Sequence, residues 1–487
     1  KAILFHYLKN EETHAYFDQL VLKLEGAVNP IVLKEACNQL IGKHDSLRTI
    51  FRYKKIKEPV QMVLKERAAI LHYEDISCLE ISLQRETVEQ FKIADREKGF
   101  DLSRDMLIRF SLFKTAENRY QFIISSHHIM MDGWCLSILL TDLLDFYKNI
   151  KNGKPVQVKP GTPYSLHIRW LEQQDQQAAK YFWQQNVLKD YDKKIGIPPQ
   201  LTRASQQAYV HDQCIVAMER GISERLLALA KQQRVTINTV FQTIWGILLQ
   251  KYNNTNDVVF GSVVSGRPAA IPDVENIVGL FINTVPVRIQ TEVQDTFQSV
   301  LLKVQEQALS AEPYDYLSLT EIQAGIGEVI DHIIAFENFS VDTEQLNNDN
   351  NMDELGFSLQ WTQDNYEQTN YDISIQAQIA EESILKILFN SRVYTPEFIQ
   401  MLISHVLTIA DVITKNPSIQ IGKINILSDI EQKELLYTFN NTAIAYPQEQ
   451  TLHHLFEKQA ERYPDRTAVV MGAEHLTYGE LNVRANR

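Results

Sequence analysis

The sequence predicts a mixed α/β protein built from two similar lobes, and three observations lead there. At 487 residues the chain exceeds what one hydrophobic core holds, so two or three folding units are expected. Strand and helix patterns alternate through roughly the first third. A second mixed block begins near residue 210, and its order of elements loosely repeats the first without a residue-level repeat. With 44% hydrophobic and 22% charged residues, the composition is that of a globular protein with a sizeable core.

In chain order, "FDQLVLKLEG" (17–26) alternates apolar residues at Leu20, Leu22 and Leu24, the pattern of a half-buried strand. "NPIVLKEACNQLIGKH" follows as a helix with Asn29 as N-cap and Pro30 in its first turn. "DMLIRFSLFK" and "RYQFIISSHH" are strands joined by a polar turn, hence a hairpin. "WCLSILLTDLLDFYKNI" sets Leu136, Leu139, Leu140 and Leu143 on one helical face. In the second block, "SERLLALAKQQ" and "TINTVFQTIWGILLQKY" read as helices, and "VVFGSVV", "NTVPVRI", "HIIAFEN", "YDISIQAQ" and "ILKILFN" as strands. A helix opened by Thr395-Pro396 closes this block. A connector without sustained periodicity runs from about 425 to 450. Residues 451–487 begin a helix and a strand, too little to bury a core alone, so a further domain is expected to start there.

The net charge of −13 opposes a polyanionic partner, so no nucleic acid is expected. Cys37, Cys78, Cys135 and Cys214 are scattered without a CxxC pair, which suits reduced thiols in a cytoplasmic protein, each a small core residue. No apolar run approaches the roughly 20 residues of a membrane span, so no membrane partner is expected. The chain opens at Lys1 within "KAILFHYL", with neither methionine nor signal peptide, as a piece of a longer chain would.

The segment "IISSHHIMMDGW" (123–134) places two histidines where the hairpin's second strand meets the next helix. Successive strand residues point to opposite faces, so His127 and His128 cannot both face one substrate. His128 shares parity with Tyr120, Phe122, Ile124 and Ser126, the more apolar set, which turns it inward. An imidazole there, beside Asp132 and Gly133, has the elements of an acid–base site, and a hydrogen-bonded core histidine is the plainer alternative. Asp132 could orient the histidine, cap the following helix or form a buried ion pair. A metal site is not expected, since helical i, i+4 spacing and HExxH are absent.

His127-His128-Ile-Met-Met-Asp132-Gly133 resembles the HHxxxDG signature of condensation domains of nonribosomal peptide synthetases. Other segments follow in that family's order. "KHDSLRTIF" (43–51) is similar to RHExLRTxF, with Lys for Arg and Asp for Glu. "YSLHIRW" (164–170) falls where a YxDFAxW-like segment lies, with several departures, and "IVGLFINTVPVR" (277–288) resembles VGxFVNTxxxR, with "SGRPAAIPDVEN" just upstream. The resemblance covers roughly residues 1–430. "LHHLFEKQAERYPDRTAVV" and "LTYGELNVRANR" look like the opening of an adenylation domain.

The resemblance implies two chloramphenicol-acetyltransferase-like lobes forming a V-shaped pseudo-dimer around a tunnel. The lobes would span 1–170 and 171–425, followed by a linker over 426–450 and the truncated start of an adenylation domain over 451–487. It implies amide-bond formation between a donor aminoacyl or peptidyl thioester and an acceptor aminoacyl thioester. Both would arrive on 4'-phosphopantetheine arms of upstream donor and downstream acceptor peptidyl carrier domains, and the chain itself would bind no cofactor. His128 and Gly133 are the catalytic candidates. His127, Asp132, Arg267 and Arg48 would be structural, with Asp132 paired to Arg267. Trp134, Asn283 and Thr284 would line the tunnel. HH and DGW are retained, unlike in cyclising or epimerising relatives, so an L-configured donor is expected. A free-standing coenzyme-A-dependent acyltransferase and a catalytically inactive docking domain are the alternatives.

Overall fold

The computed structural model describes residues 2–9, 15–56, 58–154, 159–201, 209–336, 354–362, 364–379, 383–445 and 449–487. Two compact units appear, Lys1–Ile426 and Leu427–Arg487.

The first unit holds two six-stranded sheets. It opens with α1 (Ala2–Lys9), β1 (Phe17–Gly26), α2 (Pro30–Lys43), the small hairpin β2 (Thr49–Arg52) and β3 (Val60–Val63), β4 (Leu71–Asp75) and α3 (Ile81–Lys98). The hairpin β5 (Ile108–Ala116) and β6 (Arg119–His127) then leads into α4 (Trp134–Lys151). Asn29 caps α2 through its side chain, which accepts from the Ile31 and Val32 amides, and Pro30 occupies the first turn where its missing N–H costs nothing. Leu33, Ala36, Cys37, Leu40 and Ile41 recur at helical spacing and are buried with Leu139, Leu140 and Leu143 of α4 against Leu20, Leu22, Phe122 and Ile124 of the sheet. On the sheet's other face Val21 and Ile123 pack with Phe113 and with Val88 of α3.

Short helices α5 (Ser165–Glu172) and α6 (Gln176–Phe182) connect to the second sheet. It comprises β7 (His211–Ala217), β8 (Asp257–Val264), β9 (Asn283–Gln290), β10 (Ile333–Phe336), β13 (Ile373–Gln378) and β14 (Ile384–Asn390); β11 (Phe357–Trp361) and β12 (Tyr366–Glu367) intervene in the chain. The last two residues of the expected strand 332–338 lie outside the described residues. Helices α7 (Arg220–Gln233), α8 (Ile237–Asn253), α9 (Phe297–Ala311) and α11 (Pro396–Lys415) pack on this sheet, while the one-turn α10 (Leu319–Ile322) precedes β10. The loose repeat resolves into a shared topology. In each sheet the first strand pairs antiparallel with the second strand of a hairpin (β1 with β6, β7 with β14), and that hairpin's first strand pairs parallel with the strand before it (β4 with β5, β10 with β13). A long helix follows the hairpin in both, α4 in one and α11 in the other.

Three expectations need correction. A lobe boundary at residue 170 leaves out β11 and β12, which pair antiparallel with β1, so the first sheet takes strands from a crossover 340 residues downstream. Cys37 and Cys135 are buried and Cys214 half-buried, but Cys78 is exposed, so not every cysteine is a core residue. Third, α11 is 20 residues long and apolar enough to cross a membrane. Its apolar side, from Phe398 and Ile399 to Ile409 and Ile413, is buried in the second sheet's core, which accounts for that composition.

Within Leu427–Arg487, the expected connector carries a helical turn, Asp429–Lys433, closed by a reciprocal cap between Ser428 and Glu431. Leu452–Arg462 is helical, and strands Thr467–Met471 and Glu474–Thr477 pair antiparallel before a last helix, Tyr478–Ala485.

Candidate active site

Strand register places the histidines. Along β1 and β6 the partners are Phe17 with His127, Asp18 with Ser126 and Leu20 with Ile124, so Asp18, Leu20, Ile124 and Ser126 share one face. Beyond the strand end the His128 amide still donates to the Tyr16 carbonyl at 2.8 Å, which carries the alternation one residue further. Ile124, Ser126, His128 and Asp18 line a cavity of about 2750 Å³ whose walls come from both sheets. His128 thus faces the cavity.

His127 points the other way, and it is the more buried of the two, 3% exposed. Its ring lies 5.9 Å from Tyr7 and 6.4 Å from Phe100, and its Nδ1 accepts the Ile129 amide at 3.1 Å, which shapes the turn after the strand. Burial, with the neighbouring His128 charge, pushes the His127 imidazole down to about 3. Burial likewise holds His167 and His211 down at about 4. The unfolded chain takes up protons on these groups first, so the stability they confer is complete above pH 6.5 and is lost as pH falls toward 4 and 3. Denaturant midpoints are expected to drop across that window, and His127→Phe to flatten part of the slope.

The turn after His128 is clamped to the second sheet. Asp132, whose side chain is fully buried, accepts through Oδ2 the amides of Phe281 at 2.8 Å and Ile282 at 3.3 Å. Its Oδ1 meets Arg267 Nη2 at 3.4 Å, and Arg267 Nη1 donates to the carbonyls of Val274 at 2.6 Å and Ile277 at 3.0 Å. The guanidinium lies over the Phe281 ring at 4.1 Å and the Trp134 ring at 5.5 Å. Cys135 joins the clamp, its Sγ 3.3 Å from Asp132 Oδ1 and 3.2 Å from the Gly279 carbonyl. Two glycines permit this. Gly266 adopts φ +58°, where a Cβ would meet Phe281 O at 1.9 Å, and at Gly279 one would meet the Tyr164 ring at 2.1 Å. Asp132 is thus the acceptor of a cross-sheet junction. The N-cap of α4 is Gly133, which has no capping side chain.

The other expected residues separate. Gly133 lines the cavity at the start of α4, with φ −58° and ψ −30°, a backbone that any residue adopts. Asn283 and Thr284 line the cavity, and Asn283 Nδ2 donates to the carbonyls of Asp315 at 2.7 Å and Leu317 at 2.6 Å. Arg267 reaches the cavity as well. Trp134 does not line it: the residue is 37% exposed and its Nε1 donates to Glu275 O at 3.1 Å, so it braces the junction from outside. Arg48 does not reach the Asp132 turn. It bonds Asp45 and the Leu64 carbonyl, at 2.6 Å to the latter, and so ties down the hairpin of β2 and β3. Ser46, two residues earlier, makes the cross-sheet bond instead, to Val278 O at 2.6 Å.

Two acidic residues outside any motif stand beside His128. Asp18 pairs in register with Glu367 of β12, and both line the cavity. Burial pushes the Asp18 carboxyl up to about 7, with Glu367 adding to the rise against His128 and Lys386. For His128, burial favours the neutral form, but the Asp18 and Glu367 carboxylates, its own backbone carbonyl and Asp132 outweigh it and raise its proton affinity. Among the described residues no group of three or more His, Cys, Asp or Glu side chains is placed to hold a metal ion.

Comparison with known proteins gives the family and the fold. The family model for the condensation domain matches residues 1–436. The chain is 38% identical over 490 residues to bacitracin synthase 3 of Bacillus licheniformis, covering all of this chain and 8% of that synthase. It is also 38% identical over 490 residues to gramicidin S synthase 2 of Brevibacillus brevis, of which it covers 11%. The chain thus spans about a tenth of the length of these relatives. Among solved structures, holo-AB3403, a four-domain nonribosomal peptide synthetase, superposes with TM-score 0.76 at 18% identity over all of this chain and 38% of that one. The first condensation domain of the calcium-dependent antibiotic synthetase does so with TM-score 0.71 at 16% identity, over 88% and 97% of the two chains. Two sheets of like topology around one cavity, with HHxxxDG at the strand end that enters it, accompany a family match over most of the chain, which belongs to the condensation domains, the amide-forming acyltransferases of nonribosomal peptide synthetases.

Proposed function

We propose that this chain joins an L-configured donor aminoacyl or peptidyl thioester to an acceptor aminoacyl thioester, each tethered to a carrier domain by a phosphopantetheine arm. The observation that carries the reading is the cavity. Its volume of about 2750 Å³ is several times the roughly 300–1,000 Å³ of a small-molecule site, and both sheets wall it, as two long tethered substrates meeting inside would need.

The acceptor nitrogen attacks the thioester carbon, the C–N bond forms, the C–S bond breaks, and the proton leaving nitrogen ends on the departing sulfur. His128 holds the amine through a hydrogen bond and carries that proton. Gly133, at the positive end of α4, offers its amide to the developing oxyanion, and the absence of a side chain keeps that amide open. Asp132 and Arg267 hold the turn in register with the opposite wall. A thioester is already activated, so holding both tethered ends supplies much of the acceleration. The segment 451–487, which resembles the start of an adenylation domain, makes that domain the adjacent partner, and the setting is cytoplasmic.

Tethering predicts the test. Carrier-loaded substrates at micromolar concentration should turn over at least about 10²-fold faster than free amino acids with small thioesters, because docking raises local concentration toward millimolar. Comparable rates from the untethered set would favour an acyltransferase working on soluble coenzyme A esters. No turnover from either would favour a docking domain.

A further inference from the structure

The aspartate of the histidine motif is fully engaged at the junction, by the Phe281 and Ile282 amides on Oδ2 and by Arg267 and Cys135 on Oδ1. That leaves open which carboxylate attends His128. The crossover supplies an answer. Strands β12, β1 and β6 lie side by side, and Glu367, Asp18 and Ser126 form a row across them on the cavity face. Residues opposite in such a row have Cβ atoms about 5 Å apart, with diagonal neighbours within reach of longer side chains, and His128 is diagonal to Asp18. Two buried polar atoms in this corner, Asp18 Oδ1 and His128 Nδ1, have no hydrogen-bond partner, each other included, so the carboxylate acts on the ring through its charge across the shared cavity face and not through a bond.

We propose that Asp18, backed by Glu367 from the crossover strand, is the positioning carboxylate of His128: its charge on the shared cavity face favours the protonated ring and so readies Nε2 to take the proton of the substrate amine. This rests on the reading that His128 serves amide formation. Glu367 is itself fixed by the second sheet, since Gln376 Nε2 donates to its Oε2 at 2.6 Å. Lys386, paired with Gln376 across β13 and β14, also lines the cavity and acts on Asp18. The groups acting on His128 are therefore Asp18 on β1, Glu367 on β12 and Asp132 on the turn, with His127 beside it and Lys386 of β14 acting through Asp18. Burial is the largest influence on His128 and works against protonation, so a carboxylate beside it is what makes the ring a useful proton acceptor near neutral pH. In the reaction the amine proton passes to Nε2 as the C–N bond forms. Asp18 stabilises the resulting imidazolium and keeps its own protonation state, and the proton leaves for the thiolate. The crossover then does more than link the lobes, because Glu367 reaches the site only when β12 is seated on β1.

The test is a histidine titration together with a pH–rate profile on the whole chain. The His128 resonance, assigned by its loss in His128→Gln, is followed by NMR in the wild type, Asp18→Asn, Glu367→Gln and Asp18→Glu. The Asp18→Asn midpoint should fall by about one pH unit or more, a tenfold loss of proton affinity. The acid limb of single-turnover condensation with carrier-loaded substrates should move the same way. Glu367→Gln should shift both in the same direction by less, and Asp18→Glu should restore them. A packing role would lower rate or stability without moving either titration. Unmoved midpoint and acid limb in Asp18→Asn, or in Glu367→Gln should the former not fold, overturn the proposal. Because the NMR titration needs no substrate, a wild-type chain that fails to condense would sink the functional reading while still deciding this one.

Discussion

His128→Ala is expected to lower single-turnover amide formation by at least about 10²-fold with an unchanged melting temperature. The imidazole stands at the end of β6 on the cavity face, and its removal takes away a hydrogen-bonding group without opening a packed core. His127→Ala should do the reverse. That ring fills a pocket between Tyr7 and Phe100 and accepts the Ile129 amide, so its loss creates a cavity and frees a buried donor, a cost of about 2–4 kcal/mol. Activity per folded molecule should change less than tenfold. Equal small losses in both variants, with equal melting, would contradict the assignment of faces.

Asp132→Ala should destabilise the first unit by about 3–5 kcal/mol, because it strands the Arg267 guanidinium and the amides of Phe281 and Ile282 in a buried junction. Arg267→Ala should fall at the lower end of that range, since Asp132 keeps both amide donors. The double replacement should cost less than the two single ones together, as expected of groups sharing a network. Strictly additive shifts in a denaturant-unfolding cycle would mean that the 3.4 Å contact carries no coupling.

The elements that read clearly from sequence are helices whose periodicity serves one apolar face, α2, α4 and α11, and elements with long apolar runs, α8 and the hairpin of β5 and β6, which are buried on more than one side. α3 gave no such signal because its inward side buries Lys92 and Asp95 beside Val88. Lys92 is neutralised by Glu89 at 2.7 Å and Asp364 at 2.6 Å, and Asp95 by Arg109 at 2.8 Å. The crossover was invisible for another reason: β12 is two residues long, and its pairing of Glu367 with Asp18 joins positions about 350 apart. The candidate site divides in the same way. The histidine pair, Asp132 and Arg267 sit in local motifs and were legible, and alternation along β6 separated the two rings. Asp18 and Glu367 belong to no motif and meet only through register. The resemblance implied Trp134 on the tunnel wall, but at the first turn of α4 its Nε1 donates instead to the Glu275 carbonyl.

The proposed function requires the histidine face of the first lobe to transfer a donor acyl group from one carrier to the amine held on another. The most direct measurement follows both carriers by intact-protein mass spectrometry in a rapidly quenched single turnover, with the wild-type chain and with His128→Ala. The acceptor carrier should gain the mass of the donor acyl group as the donor carrier loses it, and His128→Ala should show no transfer on that timescale. Transfer at the wild-type rate by His128→Ala, or an acceptor carrier that never gains mass while free amines are acylated, would contradict it.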